Sequence, residues 1–189
     1  MKKRLGIMLV AALVFSLPAT VSGKSEEKKA RQAREKRQKI DQIEKETLDR
    51  LFEMGSGVKK LYDKSYGYAV FDNTKISFGL TGGGGTGVAV EKASNARTYM
   101  RMGTGGLALG LGAQVYQVVF LFQTRDTFTN FIEKGWEAEA SANAVAGKAG
   151  ANAEATFRNG VALYQLTEAG LMLQADISGT KYWKSKKLN

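Results

Sequence analysis

From residue 66 onward, several segments show apolar and polar residues that alternate with a period of two, and glycines interrupt the alternation. This alternation is typical of β-strands, whose successive side chains point to opposite faces. The segments that fit it are 66–71, 75–80, 88–91, 98–102, 115–122, 161–166 and 171–177. Turn signals such as Asp72-Asn73 separate several of them, so the pattern predicts a mostly antiparallel sheet. Because the chain has 22 glycines and its one proline is Pro18, we expect the sheet to curl tightly, as a barrel or strongly bent sandwich.

A long helix is predicted before this region, because residues 25–54 contain no glycine or proline and many Glu, Lys, Arg, Gln and Ala. The apolar positions that approach helical spacing lie only in its second half: Ile40, Ile43, Leu48, Leu51 and Phe52. We therefore expect residues 40–54 to dock on the domain and 24–39 to project as a solvated arm. Short helices are predicted at 58–63 and at 126–134, the latter capped by Asp126 and closed by Gly135.

The fold class predicted from these patterns is α+β: a glycine-rich, mostly antiparallel curled β-sheet or barrel with a long N-terminal helix and one or two short helices. The segment 136–157 is ambiguous, because its many alanines favour helix. Its alternation of alanines with polar residues favours instead a hairpin with one face of small residues, lying where another layer approaches closely.

The sequence contains no histidine and no cysteine, which excludes imidazole bases, Ser-His and Cys-His nucleophiles, thiolate metal sites and disulfides. Glu137 and Glu139 would project from one face of a strand and could bind a hard cation, although a solvated strand face shows the same pattern. We therefore predict a non-enzymatic protein with no catalytic residue, no metal site and no cofactor.

The N terminus has the layout of a secretory signal peptide over residues 1–23. Three basic residues precede an apolar run at 5–17, and small residues follow, with Val21 and Gly23 at cleavage-like positions. The apolar run is shorter than the roughly 20 residues of a membrane span. We expect export with cleavage near Gly23, to a periplasmic or secreted location peripheral to a membrane; the alternative is a short N-terminal anchor that stays uncleaved.

The net charge of +10 lies mainly at two ends of the chain: residues 24–39 carry +5 and residues 181–189 carry +4. Such clusters attract anionic membrane surfaces, and tyrosine and tryptophan favour the bilayer interface. The candidate lipid-binding residues are Lys28, Lys29, Arg31, Arg34, Lys36, Arg37, Lys39, Lys181, Tyr182, Trp183, Lys184, Lys186 and Lys187. Trp183 could equally close the domain core. No nucleic-acid partner is predicted, because the basic arm lacks interleaved aromatic residues and any base-reading motif.

A predicted glycine-rich loop contains Gly82, Gly83, Gly84, Gly85 and Gly87. Three of these glycines match G-x-G-x-x-G, but a strand follows, whereas a dinucleotide site requires a helix there. Two interpretations remain: the glycines let a sheet bend or two backbones approach, or they form a nest of backbone N–H groups that accepts a phosphate or lipid head group.

Over residues 51–182 the chain resembles the SYLF domain family, a family of lipid-binding modules that includes yeast actin-binding proteins. The resemblance rests on YGYAVFD at 66–72, FGLTGGGGTGVAV at 78–90, GLGAQVYQVVFLF at 110–122 and AGLMLQADISG at 169–179. Asp72 stands where many members have proline, and Gln117 where many have an acidic residue. The resemblance implies a glycine-rich β-structure flanked by helices, without catalysis. It also implies binding to phosphoinositides or other anionic lipids, aided in eukaryotic members by an N-terminal amphipathic helix.

The expected organisation is a signal peptide at 1–23, a basic helical arm at 24–50, a SYLF-like domain at 51–182 and a basic tail at 183–189. The function we expect is binding of anionic phospholipid or phosphoinositide-type head groups at a membrane surface of the cell envelope, by an exported, bacterial-type member of the family. One alternative is an envelope protein–protein interaction or structural module without a lipid ligand. Another is an enzyme or transporter component that acts on a small apolar ligand held in the barrel. Actin is not the expected partner of an exported protein.

Overall fold

The fold combines three helices with one antiparallel sheet in the part of the chain that the computed structural model describes, which is residues 20–53, 56–137, 156–167, 170–172 and 179–189. The helices are α1 (Thr20–Glu53), α2 (Ser56–Lys64) and α3 (Arg125–Lys134). The strands are β1 (Gly67–Glu91), β2 (Ala96–Phe122), β3 (Trp136–Glu137), β4 (Val161–Thr167), β5 (Gly170–Met172) and β6 (Thr180–Lys184). The predicted α+β class, with a curled antiparallel sheet, one long helix and two short ones, is confirmed.

A long hairpin formed by β1 and β2 is the centre of the sheet. The two strands pair from Gly67 opposite Phe122 to Glu91 opposite Ala96, and residues 92–95 form the turn. The sheet has the order β3-β6-β2-β4-β5, with β1 also paired to β2. The first part of β2 pairs with β6 and its last part with β4, so this one strand connects both halves of the sheet.

The predicted turn at Asp72-Asn73 is wrong, since both residues lie inside β1, opposite Gln117 and Tyr116 of β2. The side-chain amide of Gln117 donates a hydrogen bond to the Asp72 carboxylate at 3.0 Å, and Asn73 is buried. The predicted strands 66–71, 75–80 and 88–91 are therefore parts of one strand. The long ladder with β2 outweighs the local turn preference of this dipeptide.

The prediction of a glycine-rich loop is also wrong, because its glycines lie in β1. They pair with Met100 and with residues 102–105 of β2. A Cβ added at Gly83 would lie 2.5 Å from the carbonyl oxygen of Thr74, and one at Gly87 would overlap the carbonyl of Val70. Residues 70 and 87 of a straight strand would be about 56 Å apart. Strand β1 therefore folds back on itself, and glycine is required where its two halves touch.

The two faces of the sheet carry separate hydrophobic clusters. The inner cluster packs against α3 and is rich in aromatic rings, including Phe71, Phe120, Phe122, Phe128, Phe131 and Tyr182. The outer cluster packs against α1 and α2 and includes Ile40, Leu48, Leu51, Leu61, Tyr68, Val70, Val119, Leu121 and Leu188. Alternate residues of β1 and β2 enter opposite clusters, as the period of two predicts.

Helix α3 begins after Thr124, whose side chain accepts a hydrogen bond from the backbone N–H of Thr127. The predicted cap, Asp126, lies inside the first turn, whereas the predicted end at Gly135, with φ of 73°, is confirmed. Of the hairpin predicted over 136–157, the structure places Trp136–Glu137 as β3 beside β6. The rest of that segment up to residue 155, including Glu139, lies outside the described residues, as do residues 1–19 and 173–178.

Candidate anion-binding groove

The second half of α1 is anchored on the outer face of the sheet. Its side chains Ile40, Leu48 and Leu51 are buried in the outer cluster. The apolar side of this helix is therefore covered by the protein itself. The second half of α1 therefore presents no free apolar face of the kind that the resemblance implies for eukaryotic members.

Ion pairs fix the position of α1 on the sheet. Arg97 of β2 contacts the Asp41 carboxylate at 2.8 Å and the Glu44 carboxylate at 3.3 Å. The Tyr68 hydroxyl donates to Glu44 and the Tyr99 hydroxyl to Asp41, at 2.5 and 3.0 Å. Burial, reinforced by the hydrogen bond to Glu44, raises the pKa of Tyr68 above its ordinary value. These contacts hold the helix in one orientation, so they determine where its N-terminal half projects.

A groove of about 730 Å³ lies between the N-terminal half of α1 and the sheet. We call it the basic groove. The residues that line it are Lys29, Gln32, Ala33 and Lys36 of α1, Thr86 of β1, Arg101 of β2, and Ser185, Lys187 and Leu188 of the C-terminal segment. The α1 residues follow helical spacing on one face of the helix, and Thr86 pairs directly with Arg101 in the hairpin. Three segments far apart in the sequence thus meet at one site.

Cations dominate the lining of the basic groove. Lys29 forms an exposed ion pair with Glu26 at 2.9 Å. Within the described part of the chain, no carboxylate lies within 4.0 Å of the charged groups of Lys36, Arg101 or Lys187. Converging cations without a carboxylate partner create a positive potential that attracts anions such as phosphate groups. The guanidinium of Arg101 can also contact two phosphate oxygens at once.

The C-terminal residues are docked on the domain, and this places Lys187 at the basic groove. The Ser185 backbone N–H donates to the Tyr99 carbonyl at 2.9 Å, and the Asn189 side chain bonds the backbone of Tyr99 on both sides, at 2.9 and 2.8 Å. Leu188 is buried in the outer cluster, and Arg37 donates to its carbonyl oxygen at 3.3 Å. Arg37 therefore connects α1 to the C-terminal segment and is not directed at a ligand.

Tyr182, predicted as an interfacial residue, lies in the core, so that prediction is wrong. Its ring contacts Phe71 and Phe120 with centroids 4.7 and 5.0 Å apart, and burial raises the pKa of its hydroxyl. Trp183 points to the opposite face, pairs with Arg101 and is 42% exposed. Of the two aromatic residues, only Trp183 is accessible to a membrane.

The remaining predicted cations do not line the basic groove, although all of them are exposed: Lys28, Arg31, Arg34, Lys39, Lys181, Lys184 and Lys186. Arg31 is paired with Glu35 at 3.6 Å. Sequence reasoning missed six of the nine groove residues, among them the cation Arg101 and its ladder partner Thr86. In the alternating segment 98–102, Arg101 points to the other face of the strand from Met100 and Met102, which are both buried. This alternation could have identified Arg101 as an outward-pointing cation.

Within the described ranges, no helix is both long and apolar enough to span a bilayer. Among the same residues, no three Asp, Glu, His or Cys side chains come together in a way that could hold a metal ion.

The chain is similar to a known protein family and to a curated protein. The model of the family Ysc84, described as Las17-binding protein actin regulator, matches residues 103–189. Beta cell expansion factor A of Aeromonas veronii is 47% identical over 141 residues, which are 75% of this chain and 54% of that protein. The chain thus spans about half the length of this curated relative.

Proposed function

We propose that this chain, which belongs to the SYLF (Ysc84) family of lipid- and actin-binding domains, is a non-enzymatic module that binds anionic lipid head groups at a membrane surface of the cell envelope. The family is one of binding domains and not of enzymes. Its members are associated with lipid and with actin-related partners, and the chemistry of this chain favours the lipid.

The observation that carries the proposal is the convergence of Lys36, Arg101 and Lys187 on the basic groove. Each cation held near an anionic membrane surface contributes about 1 kcal/mol of attraction. Three such cations correspond to an affinity gain of roughly a hundredfold, since 1.4 kcal/mol is a factor of ten. The exposed cations of α1 add longer-range attraction, which salt screens beyond about 10 Å at 0.1 M.

Export is part of the proposal. The predicted signal segment at 1–23 would place the protein on the outer side of a cytoplasmic membrane, where bacterial anionic phospholipids are the available head groups and actin is absent. Cell fractionation, with the mass of the mature chain, tests this expectation independently of any lipid measurement.

Co-sedimentation of the full chain with vesicles tests the groove. We expect binding to vesicles of phosphatidylglycerol and phosphatidylcholine in equal parts, and release as salt rises. The variant Lys36→Gln/Arg101→Gln/Lys187→Gln should bind roughly a hundredfold more weakly at about 0.1 M salt. The matched control Lys28→Gln/Arg34→Gln/Lys186→Gln removes the same charge from exposed positions outside the groove, so it should lose less than tenfold.

Equal losses in the two triple variants would show that only net charge matters and would refute the groove as the site. Absence of binding to any vesicle would refute the lipid proposal. If cross-linking then captured one defined envelope protein, the alternative function of a protein–protein module would replace it.

A further inference from the structure

Five large apolar side chains are exposed together where the β1–β2 hairpin folds back. They are Ile76, Phe78, Leu80, Leu111 and Val115, which we call the apolar hairpin face. Phe78 is 79% exposed and Leu111, directly opposite it in the ladder, is 77% exposed. The register of the hairpin is irregular immediately beyond this pair, between Phe78 and Leu80.

The apolar hairpin face and the basic groove belong to the same side of β1. Alternate residues from 74 to 86 share that side, and in order they are Thr, Ile, Phe, Leu, Gly, Gly and Thr. The last of them, Thr86, lines the basic groove, and Leu80 lies about 20 Å away along the strand. Trp183 flanks the groove end, since it pairs with Arg101 and lies against Gly103. None of these positions carries a carboxylate.

We infer that the apolar hairpin face enters the hydrocarbon region of the bilayer whose anionic head groups the basic groove attracts. The inference rests on the proposed function and names the part of the protein that penetrates the membrane. An inserting element is needed elsewhere because the apolar side of α1 is buried on the sheet. The arrangement matches the charge profile of a bilayer, with phosphates meeting Arg101 and Lys187 and acyl chains meeting Phe78 and Leu111.

The area of the apolar hairpin face favours a bilayer over a second copy of the chain. Five side chains that are about two-thirds exposed present roughly 400–500 Å² of apolar surface. The largest apolar patch on a soluble monomer is typically about 300–600 Å² and is often functional. A specific protein interface, however, needs about 800 Å² from each partner.

Replacement of Phe78 and Leu111 by serine tests the inference on the full chain. Both side chains are mostly exposed, so Phe78→Ser/Leu111→Ser should fold normally. At about 0.1 M salt the variant should still bind vesicles of phosphatidylglycerol and phosphatidylcholine, because the basic groove is intact. At about 0.5 M salt, where charges are screened, we expect a loss of roughly tenfold for each side chain removed. The control Phe78→Leu/Leu111→Ile keeps the surface apolar and should retain binding within about threefold.

Equal binding of the wild type and the serine variant at every salt concentration would overturn the inference while leaving the groove proposal standing. If neither protein binds at low salt, the groove proposal itself has failed. A wild-type chain that elutes as a dimer, together with a monomeric serine variant that binds vesicles equally well, would assign the apolar hairpin face to a second copy and also overturn the inference.

Discussion

We expect Gly87→Ala to destabilise the fold strongly and Gly82→Ala to leave it intact, although both glycines lie in the same short run of β1. A Cβ at position 87 would overlap the carbonyl of Val70 and lie 2.6 Å from the Phe71 ring, whereas a Cβ at position 82 would have no atom within 4 Å. Neither glycine has a positive φ, so backbone strain does not contribute to the difference.

The size of the effect follows from these neighbours. Overpacking costs typically about 1–3 kcal/mol, and the cost at position 87 lies at the upper end because the obstructing atom belongs to the backbone. Alanine at position 82 stabilises by about 0.4–1 kcal/mol, since it restricts the unfolded chain. The two variants should therefore differ by about 3–4 kcal/mol in the free energy of unfolding, or about 10 °C in melting temperature for a chain of this length.

Thermal and urea unfolding of the two variants, followed by circular dichroism, provides the measurement. Vesicle binding by the folded Gly82→Ala variant should match the wild type, because the glycine backbone is not the ligand site. Equal melting temperatures for the two variants would refute the fold-back of β1. Loss of vesicle binding in Gly82→Ala without loss of stability would instead favour the backbone nest.

Two further variants test the core and the attachment of α1. Tyr182→Phe removes a buried hydroxyl that has no hydrogen-bond partner in the described part of the chain, so it should stabilise by about 1 kcal/mol at neutral pH in urea unfolding. Because burial raises the pKa of Tyr182, the folded state keeps this proton above about pH 10 where the unfolded state loses it. Above about pH 10 the free energy of unfolding of the wild type should therefore fall with rising pH, by up to about 1.4 kcal/mol per pH unit more than that of the variant. Identical slopes for the two proteins would contradict the burial of the Tyr182 hydroxyl. Arg97→Met leaves the buried Glu44 without its cation and should cost about 3 kcal/mol, whereas Lys45→Met, which breaks an exposed pair, should cost under about 1 kcal/mol; equal costs would argue against the anchoring network.

The sequence predicted the parts of the fold that depend on local periodicity. The helix predicted at 126–134 and closed by Gly135 corresponds to α3, which runs from Arg125 to Lys134 and ends at Gly135. The turn at Asp72-Asn73 failed because ladder pairing with Gln117 and Tyr116 is a long-range effect that local propensity does not contain.

The candidate site could be predicted only in its components. The basic character of the two chain ends is readable from composition, but their meeting at Arg101 depends on how α1 lies across the sheet. Tyr182 and Trp183 are neighbours with similar chemistry. Which alternate residues of β6 face the core, which we call its parity, alone decides that Tyr182 is buried and Trp183 exposed. Parity is fixed by the register of β6 against β2, which the sequence of the tail does not reveal.

The most direct test of membrane contact at the basic groove is the fluorescence of Trp183, which flanks the groove. The chain has two tryptophans, and Trp136 packs against Phe120 in the inner cluster, so Trp136→Phe leaves Trp183 as the only reporter. On anionic vesicles its emission should shift to shorter wavelength and be quenched by brominated acyl chains, with no change on purely zwitterionic vesicles. Full vesicle binding with unchanged Trp183 emission would contradict the account, because the membrane would then be meeting a different face of the protein.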